Sequence, residues 1–293
     1  MLAMPFTIRL PACGPSPTAS ELEASMNRVR VLAVTDVHQV KWMYRALEDA
    51  VQQHKPDILA LVGDFLFGGI PRSAHYSEEE CAARLAKLPC EIIFVRGNHE
   101  MENWEPFVKS WLKSGRALHI PHGDTTVLGP LVVTGFPCTF GNEESFLMGR
   151  PDVDYDVTTW FPAIFDRYGP AALTLWLLHE PPALTKLCAE EGLMAGVEEW
   201  REAIQKYQPW LTVSGHDHET PVFDGFWRDR IGRTTCLNLG QPVRLTKKTK
   251  ALHYSLMDFE FAGSEPSLPQ RVAVTAYPWN ETLVLPNGEK TET

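Results

Sequence analysis

The stretch EIIFVRGNHE, residues 91–100, decides how the chain is read. Glu91 to Val95 form a strand-like run that is apolar after its first residue, the pattern of a strand covered on both faces. It passes directly into Arg96, Gly97, Asn98, His99 and Glu100. A buried strand ending in an amide, an imidazole and a carboxylate either closes on a polar turn or delivers chemistry at its tip.

The same texture recurs on both sides of this stretch. RVRVLAVTDVH (28–38) is a β-branched apolar run, and VKWMYRALEDAVQQH (40–54) follows with helical spacing of Trp42, Met43, Leu47 and Val51. DILALVGD (57–64) repeats the buried-strand pattern, EEECAARLAKL (78–88) is an amphipathic helix, and ENWEPFVKSWLKS (102–114) is a third. Continuously apolar strands alternating with helices argue for a parallel sheet covered on both faces. The second half is richer in strands. TTVLGPLVVTGF (125–136), ALTLWLLHE (172–180), PWLTVSGHDH (209–218) and RTTCLNLG (233–240) read as strands, with a helix near 195–207. LHYSLMDFEF and QRVAVTAYPW read as a late hairpin or two edge strands, and 141–168 as a loop over the site. Residues 1–27, rich in Pro, Ser, Thr and Ala, are an N-terminal extension; 28–280 form the domain and 281–293 a tail.

The totals narrow the function classes. A chain of 293 residues with 44% hydrophobic content has ample material for a full core. A formal net charge of −10 speaks against a partner that is a nucleic-acid polymer, which needs a basic face. It leaves room for a small anionic substrate, because bound cations supply positive charge locally. Six scattered cysteines without a CxxC pair indicate reduced thiols and a cytoplasmic protein. No apolar run reaches the roughly 18 residues of a membrane span, and the N-terminus lacks the cationic start and apolar core of a signal peptide.

Five of the apolar runs end in groups suited to chemistry: Asp36-Val37-His38, Gly63-Asp64, Gly97-Asn98-His99-Glu100, His179-Glu180 and Gly215-His216-Asp217-His218. The carboxyl ends of strands in an open α/β sheet form the crevice where ligands bind. Imidazole, carboxylate and amide oxygen together suit Mn, Fe or Zn. In Asp-x-His and His-x-His, positions i and i+2 face the same side of an extended segment. One such motif arises by chance in many proteins; five in order, each after an apolar strand, do not. His54, His75, His119, His122 and His253 lack this setting and are read as structural.

These motifs resemble the calcineurin-like metallophosphoesterase superfamily, from about residue 30 to 240. NLGQP at 238–242 is similar to the Asn-Pro-Gly turn of that family. The resemblance implies an α/β fold: a four-layer α/β/β/α sandwich of two mixed β-sheets flanked by helices. It also implies two divalent metal ions. Asp36, His38, Asp64 and His218 would hold one and Asp64, Asn98, His179 and His216 the other, with Asp64 bridging. The implied activity is hydrolysis of a small phosphoester, more readily a phosphodiester such as a cyclic nucleotide. A metal-bridging hydroxide would attack phosphorus while His99, carrying no metal, assists the leaving group. Asn98, His99 and Arg96 would touch substrate, although Arg96 has Glu100 and Asp217 as competing partners.

Protein Ser/Thr phosphatases share RGNHE, but they extend Gly-Asp with an Asp and an Arg where this chain has Phe67 and Gly68 in GDFLFGG. That departure excludes a protein phosphatase and leaves the support of His99 unassigned. Gln39 stands where a small residue is common and is expected to shape the pocket. A metal-dependent nuclease and a non-catalytic scaffold of the same fold are the alternatives. The acidic charge opposes the first and the complete ligand set opposes the second. Trp104, Phe140, Trp160 and Phe161 are read as packing before substrate stacking, and Glu78–Glu80 as a solvated helix start.

Overall fold

In β1 (Arg28–Val34) side chains alternate between two buried environments. Val29, Val31 and Ala33 face one core and Leu32 and Val34 another. The same division holds in β2 (Ile58–Val62) and β3 (Glu91–Val95), so these strands are apolar at nearly every position because both faces are covered. The computed structural model describes residues 28–66, 73–136, 138, 157–189, 195–242 and 251–285.

Helices α1 (Lys41–His54), α2 (Glu78–Leu85) and α3 (Glu100–Ser114) cover the outer face of the first sheet. Ser77 and Glu80 close a capping box at the start of α2: the Ser77 hydroxyl accepts from the Glu80 amide, and the Glu80 carboxylate accepts from the Ser77 amide. The acidic start of α2 thus completes its first turn.

A hairpin of β4 (Asp124–Leu128) and β5 (Leu131–Gly135) opens the second sheet; TTVLGPLVVTGF therefore folds as two strands around Gly129 and Pro130. Then come α4 (Val157–Tyr168), β6 (Leu175–Leu177), α5 (Glu198–Tyr207), β7 (Leu211–Ser214), β8 (Arg228–Ile231) and β9 (Thr234–Asn238). The chain returns to the first sheet with β10 (Tyr254–Glu260), β11 (Arg271–Tyr277) and β12 (Glu281–Leu285). The strand orders are β12-β11-β10-β1-β2-β3 and β4-β5-β6-β7-β9-β8. Both sheets are mixed: β1–β2–β3 and β5–β6–β7–β9 run parallel, and the flanking pairs antiparallel.

Three buried clusters sort these elements into layers. One lies between the sheets, joining Val31, Ala60 and Ile93 to Val133, Leu175, Val213 and Leu237. A second fills the space under α1–α3, and a third packs Trp176, Phe136 and Cys236 against Phe161 of α4 and Trp200 of α5. The result is the expected four-layer α/β/β/α sandwich.

Two expectations need correction, and one strand escaped the sequence reading. Residues 157–168 are not loop but α4, whose Val157, Phe161 and Ile164 recur at helical spacing and are buried. The remainder of 141–168, together with residues 1–27, Phe67, Gly68 and Phe140, lies outside the described residues. Of the two readings of the late strands, the hairpin forms: β10 and β11 pair antiparallel, and β10 lies between β1 and β11, tied by Asp258 to Arg28 and Arg30 at 2.9 and 2.8 Å. The segment from 281 begins with β12, in register with β11, so the sheet continues past the boundary set at 280. Strand β8 has no counterpart in the sequence reading, because its Arg-Asp-Arg segment lies at a sheet edge and carries little apolar signal.

Trp104 stacks on Phe107 at 5.5 Å, and Trp160 and Phe161 pack with Phe136 and Trp176. These aromatics are core and near-core residues. Cys81, Cys90, Cys138, Cys188 and Cys236 are buried and unbridged. Among the described residues no helix is long and apolar enough to cross a membrane.

Candidate metal centre

The two sheets meet where the parallel strands end. Asp36 and His38 follow β1, Asp64 follows β2, and Asn98 and His99 follow β3; His179 follows β6, and His216 and His218 follow β7. Each sheet thus supplies part of one cluster, and the structure brings all eight residues together.

Distances organise the cluster around Asp64. Its Oδ2 lies 3.4 Å from His179 Nε2, 3.7 Å from His99 Nε2 and 4.0 Å from His38 Nε2. Its Oδ1 faces the other way and accepts the His99 amide at 2.9 Å. His218 Nε2 lies 3.2 Å from Asp36 Oδ1 and 3.4 Å from His38 Nε2. Asn98 Oδ1 lies 3.1 Å from His179 Nε2.

Three sets of candidate ligand atoms lie mutually within 4.8 Å: Asp36, His38 and His218; Asp64, His179 and His216; and His38, Asp64 and His99. The first two sets fit a dinuclear site, and Asp64 approaches both. The donor set fits borderline divalent ions by its chemistry, mixing imidazoles, carboxylates and an amide oxygen. The third set places His99 within reach of a ligand position. Its side chain differs in being 34% exposed, against 3% for Asp64 and 0% for His179.

The backbone explains how eight polar groups crowd into one place. Asp36, His38, Asp64 and His216 have φ of 54°, 47°, 53° and 63°, a left-handed conformation that costs non-glycine residues about 1–3 kcal/mol each. Hydrogen bonds hold them there. The Asp36 amide donates to the Gly63 carbonyl at 3.0 Å and the His38 amide to the Asp64 carbonyl at 2.9 Å. The His216 amide donates to the Asp36 carboxylate at 3.1 Å. Gln39 continues the pattern: fully buried, its main-chain N–H donates to the Phe65 carbonyl and its main-chain carbonyl accepts from the Tyr76 N–H.

The glycines of the motifs are needed for space. A Cβ at Gly63 would overlap the His179 ring, one at Gly97 would overlap Asp64, and one at Gly215 would overlap Thr35 and Asp36. Gly97→Ala is therefore expected to destabilise the fold by about 1–3 kcal/mol, as overpacking of a close-packed site does. Denaturant unfolding measures this, and unchanged stability with intact metal binding would contradict the packing account.

Charge follows the same geometry. Burial pushes the Asp36 carboxyl up, but the His218 and His179 charges outweigh it and hold the group at about 2. Burial acts likewise on Asp64, where His179, His38 and His99 hold the carboxyl well below the usual carboxylate range. Against its own burial, His179 is raised by Asp64 to about 10, and His218 is raised by Asp36. His38 goes the other way, pushed down by burial to about 4. The two aspartates are thus ionised at neutral pH and ready for cations. Ligating imidazoles must be neutral, so metal binding displaces protons and strengthens as pH rises.

A sequence reading by ligand type misses the residues that hold the loops. Thr35 donates to Asp36 Oδ2 at 2.7 Å. Asp217, between the two histidines, accepts from the amides of Ala189, Glu219 and Thr220. Asn238, in the NLGQP turn, donates to the carbonyls of Asp217 and Leu187. Glu100 accepts from the amides of Asp64, Leu66 and Gly97. The signal for Asp217 and Glu100 was a carboxylate adjoining ligands inside short motifs. Both carboxylates accept backbone amides, whereas Arg96 Nη2 lies 3.5 Å from His122 Nε2 and the guanidinium lies over Trp104.

His54, His119 and His253 contact Tyr254, Glu91 and the Gly240 carbonyl respectively. Neither these nor His75 and His122 join the three ligand sets.

Comparison with known proteins places this geometry. No curated protein matches the chain. Among solved structures, a dimetal phosphatase from Danio rerio superposes with a TM-score of 0.59 at 14% identity, covering 89% of this chain and 99% of that one. A protein of Thermus thermophilus does so with a TM-score of 0.54 at 13% identity, covering 87% and 97%. At such identities the likeness is one of fold. The family model described as calcineurin-like phosphoesterase matches residues 29–220, which include every strand-end residue of the cluster. The chain belongs to the calcineurin-like phosphoesterases, a family of metal-dependent phosphoester hydrolases.

Proposed function

We propose that the chain hydrolyses a small phosphoester, a phosphodiester such as a cyclic nucleotide before a monoester, at a centre of two divalent ions. The observation that carries this reading is the environment of Asp64. One carboxylate oxygen is held by the His99 amide, and the other faces three imidazoles contributed by both sheets. In this reading Asp36, His38, Asp64 and His218 hold one ion, and Asp64, Asn98, His179 and His216 the other. Mn, Fe and Zn all accept such ligands. When bound, two ions supply charge at the phosphoryl oxygens and a water acidified into a nucleophile at neutral pH.

The chain's own residues do the rest. Buried side chains fix the ligands in strained, hydrogen-bonded loops, so little reorganisation accompanies reaction. His99, the more open imidazole of the cluster, donates a proton or hydrogen bond to the leaving oxygen. An alkoxide leaving group, as a phosphodiester generates, gains most from such an acid. Arg96, on the same strand tip beside His122, adds positive charge for the phosphate. The acidic net charge of −10 favours a small substrate over a polymer.

The test is a panel on protein reconstituted with Mn²⁺, comparing a chromogenic phosphodiester, a chromogenic monoester, cyclic nucleotides and single-stranded DNA. Turnover of a small diester supports the proposal. Preference for DNA would make the chain a nuclease. Absence of turnover on the whole panel with both ions bound would return it to the scaffold reading.

A further inference from the structure

We infer that Glu100 is a positioning residue for the metal centre, acting through the backbone of Asp64. Its side chain is completely buried at the first turn of α3. One carboxylate oxygen, Oε2, accepts the Asp64 amide at 2.9 Å and the Gly97 amide at 2.6 Å, and Oε1 accepts the Leu66 amide at 2.8 Å. The carboxylate therefore grips the loop after β2 on both sides of its residue 65 and, at the same time, the loop after β3 just before Asn98.

A reciprocal bond completes the lock. Asp64 Oδ1 accepts the His99 amide at 2.9 Å, so the two loops exchange hydrogen bonds in both directions. Asp64 sits at φ 53°, a conformation that surrounding bonds must impose on a residue with a side chain. With the backbone of Asp64 and one of its oxygens fixed, the other oxygen is left facing His38, His99 and His179. Asp217 offers a useful contrast. It also accepts three backbone amides, but from Ala189, Glu219 and Thr220, none of them a ligand's own amide. Glu100 holds a ligand directly by its peptide group and two neighbouring positions besides.

This inference rests on the two-ion reading of the site, and its test reads metal binding and folding rather than turnover. Metal-free wild type and Glu100→Gln are compared by circular dichroism and thermal unfolding, then titrated with Mn²⁺ by calorimetry. The amide of Gln cannot accept at both positions, and its NH₂ group would face a backbone N–H. The expected result is a folded variant whose Mn²⁺ affinity is about 10–100-fold weaker, the loss usual when a ligand's support is removed. A variant with a lower melting temperature and wild-type Mn²⁺ affinity would make Glu100 a structural residue only and overturn the inference.

Glu100→Asp serves where the Gln variant does not fold. It keeps the charge and both acceptor oxygens one methylene further back, and is expected to fold with weakened Mn²⁺ binding. Wild-type affinity in that variant, or failure of both variants to fold, overturns the inference. Wild type that binds no Mn²⁺ would instead overturn the metal centre itself, which separates the two failures.

Discussion

Asp64→Asn is expected to weaken both metal positions together and to lower phosphoester turnover by about 10³-fold, the upper end of the loss for one preorganised electrostatic group. Asparagine keeps the size and one oxygen of the side chain. Directed as Oδ1 is, that oxygen still accepts the His99 amide, so the loops after β2 and β3 stay joined. The change falls on the other atom. Oδ2, which faces His38, His99 and His179, becomes an uncharged NH₂ group that cannot accept a cation. Both candidate ion positions lose the same donor, and the centre loses a full negative charge in a buried setting. Metal analysis after dialysis, with turnover on the same sample, measures the effect. Loss of one ion with retention of the other would show that Asp64 belongs to a single position.

His99→Ala is expected to leave both ions bound while lowering turnover by about 10²–10⁴-fold, the range for a positioned proton donor. The backbone amide that reaches Asp64 survives the substitution, so the Asp64 carboxylate keeps its orientation. What is lost is the imidazole, whose Nε2 stands 3.7 Å from Asp64 Oδ2 and whose ring meets His38 edge-on at 4.8 Å. Those distances also make His99 a rival ligand, since it shares a ligand set with His38 and Asp64. The two roles separate cleanly. Loss of an ion in the variant assigns His99 to the metal; two ions with poor turnover assign it to the leaving group. A leaving group that needs no proton, such as a nitrophenolate, is expected to soften the defect.

The strands of the site were legible because three independent features coincide in them. Each is apolar at nearly every position, each ends at a turn, and each turn carries ligand-type side chains. Continuous apolar runs follow from burial on both faces, which the cores on either side of β1–β3 display. Strands β8 and β12 were illegible for the opposite reason: most of their positions are partly or fully exposed, which removes the apolar pattern. The ligands were visible by type, but their support was not. Besides local amides, Glu100 reaches those of Asp64 and Leu66 and Asp217 reaches that of Ala189, and nothing in local spacing marks amides 28 to 36 residues away as partners. The left-handed backbones of Asp36, His38, Asp64 and His216 were equally hidden, since local preference disfavours them and tertiary hydrogen bonds impose them.

The most direct test of the account is a Mn²⁺ titration of metal-free protein, with bound metal and turnover of a small phosphodiester followed together. The predicted result is turnover that reaches its maximum only when two ions are bound per chain, and that Asp64→Asn lowers together with the affinity for both ions. Full turnover with a single ion bound, or two bound ions without turnover on any small phosphoester, would contradict it.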